Sequence, residues 1–358
     1  MTAPQLKVVP PAPERPAVPQ RRSNLLSHPL LKPVLALAVL LALDILFIPG
    51  FLKLEIKDGH LYGPLIDILN RAAPLMLAAL GMTLVIATRG IDISVGAVVA
   101  LSGTVAAMLI GGTMVMNNGV PEYVANTPMP LALAAALGAA LLCGAWNGAL
   151  VAGLKLQPIV ATLILMVAGR GLAQLLTDGQ IVTVYYQPFF FLGSGYLLGL
   201  PFALWVVLAV LLVVGLLLKK TALGLFIQTV GINPVAARLA GIRTATLIFL
   251  VYVFCSLCAG MAGLMISSNI KSADANNAGL MLELDAILAV TLGGTSLAGG
   301  KFSLAGSMIG ALIIQTLTWT IYSLGVPPEV NMVVKAIVVF AVCLSQSAGF
   351  QQLWKRRK

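Results

Sequence analysis

The sequence predicts an all-α fold: a polytopic membrane helical bundle of about ten transmembrane helices, with broken or re-entrant helices among them. Three observations carry this. The 358 residues are 59% hydrophobic and 9% charged, more apolar surface than a soluble chain of this length could cover. The apolar residues form unbroken runs of Leu, Ala, Val and Ile, not the alternating ten-residue segments of a transmembrane barrel. The basic residues gather at the ends and between the runs, so the net charge of +10 faces an anionic inner leaflet and not nucleic acid.

In chain order, residues 1–30 are rich in Pro and polar side chains, with Arg15, Arg21 and Arg22, and lack an apolar period. They are expected to be a disordered cytoplasmic tail. No cleavable signal is expected, because the first apolar run, from Pro33 to Ile48, comes late and no small-x-small site follows it. Further runs fall at about 72–88, 93–112, 130–154, 158–177, 201–218, 245–268, 284–299, 303–323 and 330–348, each near bilayer length. Residues 31–349 thus form one transmembrane domain, and 350–358 a basic cytoplasmic tail. The connection 219–244 carries Lys219, Lys220, Arg238 and Arg243 without any acid. With the N-terminal tail inside, this connection and the closing basic tail both land inside, so both termini are cytoplasmic. MNNGVPEYVANTP and TDGQIVTVYYQPFFFLGSGY, which lack Lys and Arg, land outside.

Gly144 with Gly148, and Gly306 with Gly310, form two GxxxG pairs that allow close helix packing in lipid. SVGAVVAL after Ile93 echoes SLAGSMIGAL after Phe302, as an internal repeat or by chance. Cys143, Cys255, Cys258 and Cys343 all sit in apolar runs and are expected to be structural. His28 and His60 are far apart with no ligand spacing, so no metal site is expected. GGTSLAGGKFS misses the phosphate-loop pattern twice, since Thr295 stands where its first Gly belongs and Phe302 follows Lys301. No catalytic constellation or cofactor motif is present.

Ionisable residues inside apolar runs are costly unless paired or facing water. They are Asp44, Arg89, Asp92, Arg170, Asp285 and Lys335. Lys335 is expected to snorkel and Asp44 to lie at an interface. Arg89 and Asp92 sit in TRGIDISVG, which is either a broken helix lining a pathway or an inner turn with Asp92 as a plain cap. Arg170 lies past the middle of its run and needs acceptors, while Asn147 and Thr162 add polar groups in neighbouring runs. SADANNAGLMLELD groups Asp274, Asn276, Asn277, Glu283 and Asp285 before a span. Carboxylates and amides suit sugar hydroxyls, although an outer loop is polar in any case. In the basic connection, Asn233 can cap and Pro234 can open a short helix, VAARLA, that Gly241 ends. That helix is a handle for a cytoplasmic partner, or the stretch is a basic loop resting on headgroups.

GMTLVIATRGIDISVGAVVALSG, QPIVATLILMVAGRGLAQLLTDGQIV, VGINPVAARLAGI and AILAVTLGGTSLAGGKFSLAGSMIGALIIQ together cover most of the chain from about Ile66 to Val342. They resemble the permease subunits of bacterial ABC importers for ribose, xylose and related monosaccharides. IDILNRAAP and ADANNAGLMLELDAILAV are most similar to the galactofuranose-type branch. The resemblance implies a carrier of two permease chains, identical or similar, with cytoplasmic ABC ATPase subunits and a periplasmic sugar-binding protein. It implies an inner-membrane location and sugar movement by alternating access, with ATP hydrolysed on the partner. The coupling helix would comprise Gly231, Asn233, Ala236, Ala237, Arg238 and Gly241, with Ala236 and Ala237 as the closest contacts to the ATPase. Where older permeases have a glutamate opening an "EAA" motif, this chain has Gln228. The substrate pathway would comprise Arg89, Asp92, Asn147, Thr162, Arg170, Asn276, Asn277, Glu283 and Asp285. The rival of the same broad class is an ion-coupled transporter, for which only Asp92 and Asp285 could serve as deep carboxylates. A membrane enzyme is the rival of another class.

Overall fold

The computed structural model describes residues 30–57, 59–117, 120–327, 330, 333–334, 336–337 and 340. The expected N-terminal tail up to residue 29, the basic tail, most of the run at 330–348, Lys335, His28 and Cys343 lie outside the described residues. The helices are α1 Leu31–Phe47, α2 Pro64–Ala87, α3 Val95–Ile110, α4 Met129–Gly148 with a π-helical extension Ala149–Gly153, and α5 Pro158–Leu176. There follow the short α6 Phe191–Ser194, α7 Phe202–Lys220, α8 Leu223–Ile232, α9 Pro234–Leu239, α10 Thr244–Ile270, α11 Leu282–Leu292 and α12 Leu304–Ser323. Four two-stranded antiparallel pieces sit in the connections.

Six of these helices, α2, extended α4, α5, α7, α10 and α12, are long and apolar enough to cross a membrane. The apolar window of α2 is 78% buried and that of α7 only 17%, so α2 is at the centre and α7 presents its surface outward. Apolar residues clothe α7 all round, as a lipid-facing helix requires. Glycines set the close approaches. A Cβ on Gly81 would stand 2.7 Å from the Cys255 Cα, and one on Gly144 2.7 Å from the Val253 Cα, so α2 and α4 both press on α10. Gly148 faces Phe249, and Gly306 and Gly310 meet the backbones of Gly293 and Ala289 in α11. Both GxxxG pairs therefore pack helices. Cys143, Cys255 and Cys258 are buried thiols, as expected.

One expectation is corrected. The run at 284–299 does not form a helix of bilayer length: α11 has 11 residues, and Gly294 turns the chain at φ 86° just after it. Ahead of α11, Lys271 ends α10 at φ 58°, Ser272–Ala273 pairs with Val182–Thr183, and Gly279 and Met281 take positive φ. An irregular stretch joined to a short helix occupies this part of the chain, where lipid would demand a continuous helix unless protein surrounds it. Asp44, near the end of α1, is covered by protein. It is 1% exposed and accepts from the Thr320 hydroxyl at 2.7 Å, which ties α1 to α12.

Candidate functional site

The first turn of α3 is where the polar residues meet. Gly90 to Ser94 is non-helical and mostly buried, and Asp92 and Ser94 are both fully buried. Asp92 Oδ1 accepts from the Ser94 N–H at 2.9 Å and the Ser94 hydroxyl at 2.6 Å. Asn147, near the end of α4, donates through Nδ2 to the Ser94 hydroxyl at 2.8 Å and to Asp92 at 3.4 Å. Thr162 of α5 accepts from the Ile93 N–H at 3.2 Å. The Tyr252 hydroxyl points at the Ile91 carbonyl, and the Cys255 thiol lies beside Asp92. Cys255 is the twelfth residue of α10, about 17 Å from its start at 1.5 Å per residue. The chain thus folds back into the bundle before α3 begins, so Asp92 does cap-like work and also sits deep among protein groups.

On the other flank of that turn, the 5%-exposed Glu283 brings its carboxyl against the backbone of Gly96. A side chain at Gly96 would collide with Glu283 and with the Gly279 carbonyl, which explains the glycine. Carboxylates at 92 and 283 thus face the unpaired N–H groups and positive dipole end of one helix. Arg170 lies beside Gly169, where an added Cβ would stand 3.4 Å from the Ala97 side chain of α3. Its Nη1 donates to the carbonyls of Ala275, Asn276 and Ala278 at 3.2, 3.4 and 2.6 Å. The three carbonyls converge on one end of the guanidinium, which sets its charge among them. Gln174, one turn on, donates to Asn276 Oδ1 at 2.8 Å. Asn277 instead donates to Asp274 at 2.8 Å through its side chain, closing the turn. Asp285 is half-buried in the first turn of α11.

Arg89 stands apart from this group. At φ 65° it is exposed, and it donates through Nε to the Ala298 carbonyl at 3.1 Å and through Nη2 to the Ile232 carbonyl. The Gly300 N–H bonds to the Ala87 carbonyl at 2.9 Å. Gly231 and Gly299 allow this contact, since a Cβ at either would strike the backbone or Arg89. Three corners, α2–α3, α8–α9 and α11–α12, are thus fastened by one side chain. Sequence reasoning missed the partners Ile232, Ala298 and Gly300, and the only available signal was the glycine pair at 299–300.

The basic connection contains the expected helix. Asn233 Oδ1 accepts from Val235 N and Ala236 N at 3.0 Å, Pro234 opens α9, and Gly241 follows it at φ 83°. A cap of this kind is worth about 1 kcal/mol. α8 precedes it, so the connection is a helix pair. Ala237 is fully buried within the chain, while Val235 is 63% and Leu239 86% exposed, with Ala236 and Arg238 also on the surface. The outward apolar face is therefore Val235 and Leu239, and Ala237 faces inward.

A bundle of apolar helices, six of them long enough to cross a membrane, with a buried polar cluster ahead of α3 has the make-up of a polytopic membrane protein. The chain belongs to the family described as branched-chain amino acid transport system / permease component, whose model matches residues 65–343. It is 52% identical to the galactofuranose transporter permease protein of Escherichia coli (strain K12), over 90% of this chain and 91% of that one. It is 40% identical to the fructose import permease protein of Bifidobacterium longum, over 92% and 91%. It is 38% identical to the ribose import permease protein of Escherichia coli (strain K12), over 87% and 92%. No solved structure matches.

Proposed function

We propose that this chain is the inner-membrane permease subunit of an ATP-driven importer of galactofuranose. The observation that carries the reading is the gathering of Asp92, Asn147, Thr162, Arg170 and Glu283 round the first turn of α3, in a permease 52% identical to a galactofuranose transporter permease. Acceptors and donors mixed at one helix start, inside an apolar bundle, are what passage of a neutral polyol requires. Asn276, Asn277 and Asp285 line the approach from the outer side.

Hydrolysis occurs on a partner ABC ATPase, which docks on α9 through Val235 and Leu239, with Ala236 and Arg238 at the rim. The Arg89 bonds to Ile232 and Ala298 support a mechanical link: movement of α9 reaches the α2–α3 break through that guanidinium. A periplasmic sugar-binding protein loads the outer face, and a second permease chain completes the pathway. About ten spans, with both termini cytoplasmic, fit the charge distribution.

The deciding experiment is uptake of labelled galactofuranose, ribose and xylose by cells carrying the whole operon with and without this gene. Gene-dependent uptake of galactofuranose above the other two supports the reading. Preference for ribose or xylose moves the substrate while keeping the transport class, and gene-independent uptake of all three removes the sugar reading.

A further inference from the structure

We propose that the outer connections hold a receiving site for a free monosaccharide, in the cavity between the Thr113–Asn117/Val120–Val124 hairpin and the segment 186–195; this rests on the sugar-import reading above. The cavity has a volume of about 720 Å³ and is lined by Glu122, Tyr123, Tyr186, Gln187, Phe190 and Ser194, among others. Small-molecule sites commonly measure about 300–1,000 Å³, so one sugar with its closest waters fits.

The chemistry of the lining selects the occupant. Tyr123 and Tyr186 offer aromatic rings for the C–H faces of a sugar, while the Phe190 ring carries the Lys271 ammonium 5.0 Å from its centroid. Tyr123 is steadied by stacking on Tyr185, with centroids 5.0 Å apart. The hydroxyls of Tyr123 and Tyr186 and the amide of Gln187 have no hydrogen-bond partner among the described residues. They are free to meet ring hydroxyls as donors or acceptors. Among the described lining residues Glu122 is the only charged one. It accepts from Asn117 through Oε2 at 3.2 Å, and the Lys271 ammonium over Phe190 offsets its charge, so the site carries no net field that would select an ion. A neutral polyol suits it.

The floor is preorganised. Ser268 of α10 donates to the Phe189 carbonyl at 2.7 Å and accepts from the Gly193 N–H at 2.8 Å, pinning both ends of the segment that carries Phe190. Phe189 itself is fully buried. The Tyr185 N–H bonds to the Gly111 carbonyl at 3.0 Å, and the Val184 N–H to Lys271 at 2.9 Å. The same segment thus runs from the cavity to the Lys271–Glu283 stretch that Arg170 holds. A sugar released here is beside the structure that leads to the α3 turn.

The test uses the full importer in nanodiscs without added binding protein, with saturation-transfer NMR on galactofuranose. Wild type should transfer saturation to ring C–H protons. Tyr186→Ala and Gln187→Ala should each lower that transfer at least threefold, and lower uptake in cells threefold or more at unchanged membrane amount. Gln187 is exposed, so its variant folds and keeps the test meaningful. Equal transfer and uptake in both variants, no transfer in wild type, or lipid acyl protons in place of sugar would each overturn the site. If wild-type cells still import the sugar in those cases, only the cavity proposal falls. If they import no sugar at all, the importer reading falls with it.

Discussion

Arg170 donates to three backbone carbonyls of the stretch ahead of α11. Hydrogen bonds to charged groups are worth about 1.5–3 kcal/mol each. Arg170→Ala should therefore cut uptake about tenfold or more, since each 1.4 kcal/mol is a factor of ten, and Arg170→Lys should recover only part, because the shorter lysine stem leaves its ammonium short of the point where the three carbonyls converge on Nη1. Asp92→Asn keeps the volume but puts a donor amide where the α3 start has an acceptor carboxyl, and should also lower uptake while membrane amount and ATPase binding stay unchanged. Transport assays with quantified membrane protein check both, and normal uptake in both variants would remove these residues from the pathway. Arg89→Gln makes a different prediction: sugar-stimulated ATP hydrolysis and uptake should fall together while the ATPase still co-purifies, because the link is cut and the docking face is untouched. Loss of co-purification would show that Arg89 merely supports the fold. Asn233, Pro234 and Gly241 were legible because cap, first turn and stop lie within nine residues of each other. The Arg89 bonds were not, because their partners are 143 and 209 residues away. Ala237 was read as an outward contact, since a six-residue helix has too few positions for periodicity to tell its faces apart.

Among the elements, α9 and α11 depart most from simple spans. Leu239→Asp puts a charge on the exposed face of α9 and should release the ATPase in a pull-down, with normal permease in the membrane. Ala237→Glu places a charge against the bundle itself, and should instead lower the amount of folded permease. If the two behave alike, the division of α9 into a docking face and a packed face is wrong. The apolar runs gave the long helices well, because bilayer length and lack of charge are strong local signals. They failed at 284–299, where an apolar run was equally compatible with a short helix plus a glycine turn. Gly293 and Gly294 were the visible hint. The echo between SVGAVVAL and SLAGSMIGAL starts at equivalent places, since Ser94 and Ser303 both precede a helix, yet Ser303 caps Gly306 while Ser94 serves Asp92 and Asn147.

For the whole molecule, the proposed orientation is checked by single cysteines introduced into a cysteine-free background. Gln187→Cys should react with a membrane-impermeant maleimide in intact cells, and Arg243→Cys only after permeabilisation. The reverse pattern would invert the topology and separate α9 from a cytoplasmic partner. The irregular stretch before α11 also bears on how the chain is made. Leu282–Leu292 is only about 16 Å long, roughly half the hydrocarbon thickness, and it carries Glu283 and Asp285 at its head. As it leaves the ribosome, such a segment has too little apolar length to partition into lipid alone. Its glycine contacts with α12 and its packing on α2 supply what it lacks, so it can settle only after α12 has been synthesised. A released chain truncated after residue 302 should leave Leu282–Leu292 accessible to protease in the membrane, whereas one that includes α12 to residue 323 should protect it. Biogenesis of this permease would then hold a late checkpoint, at which α11 and α12 insert as a unit and not helix by helix.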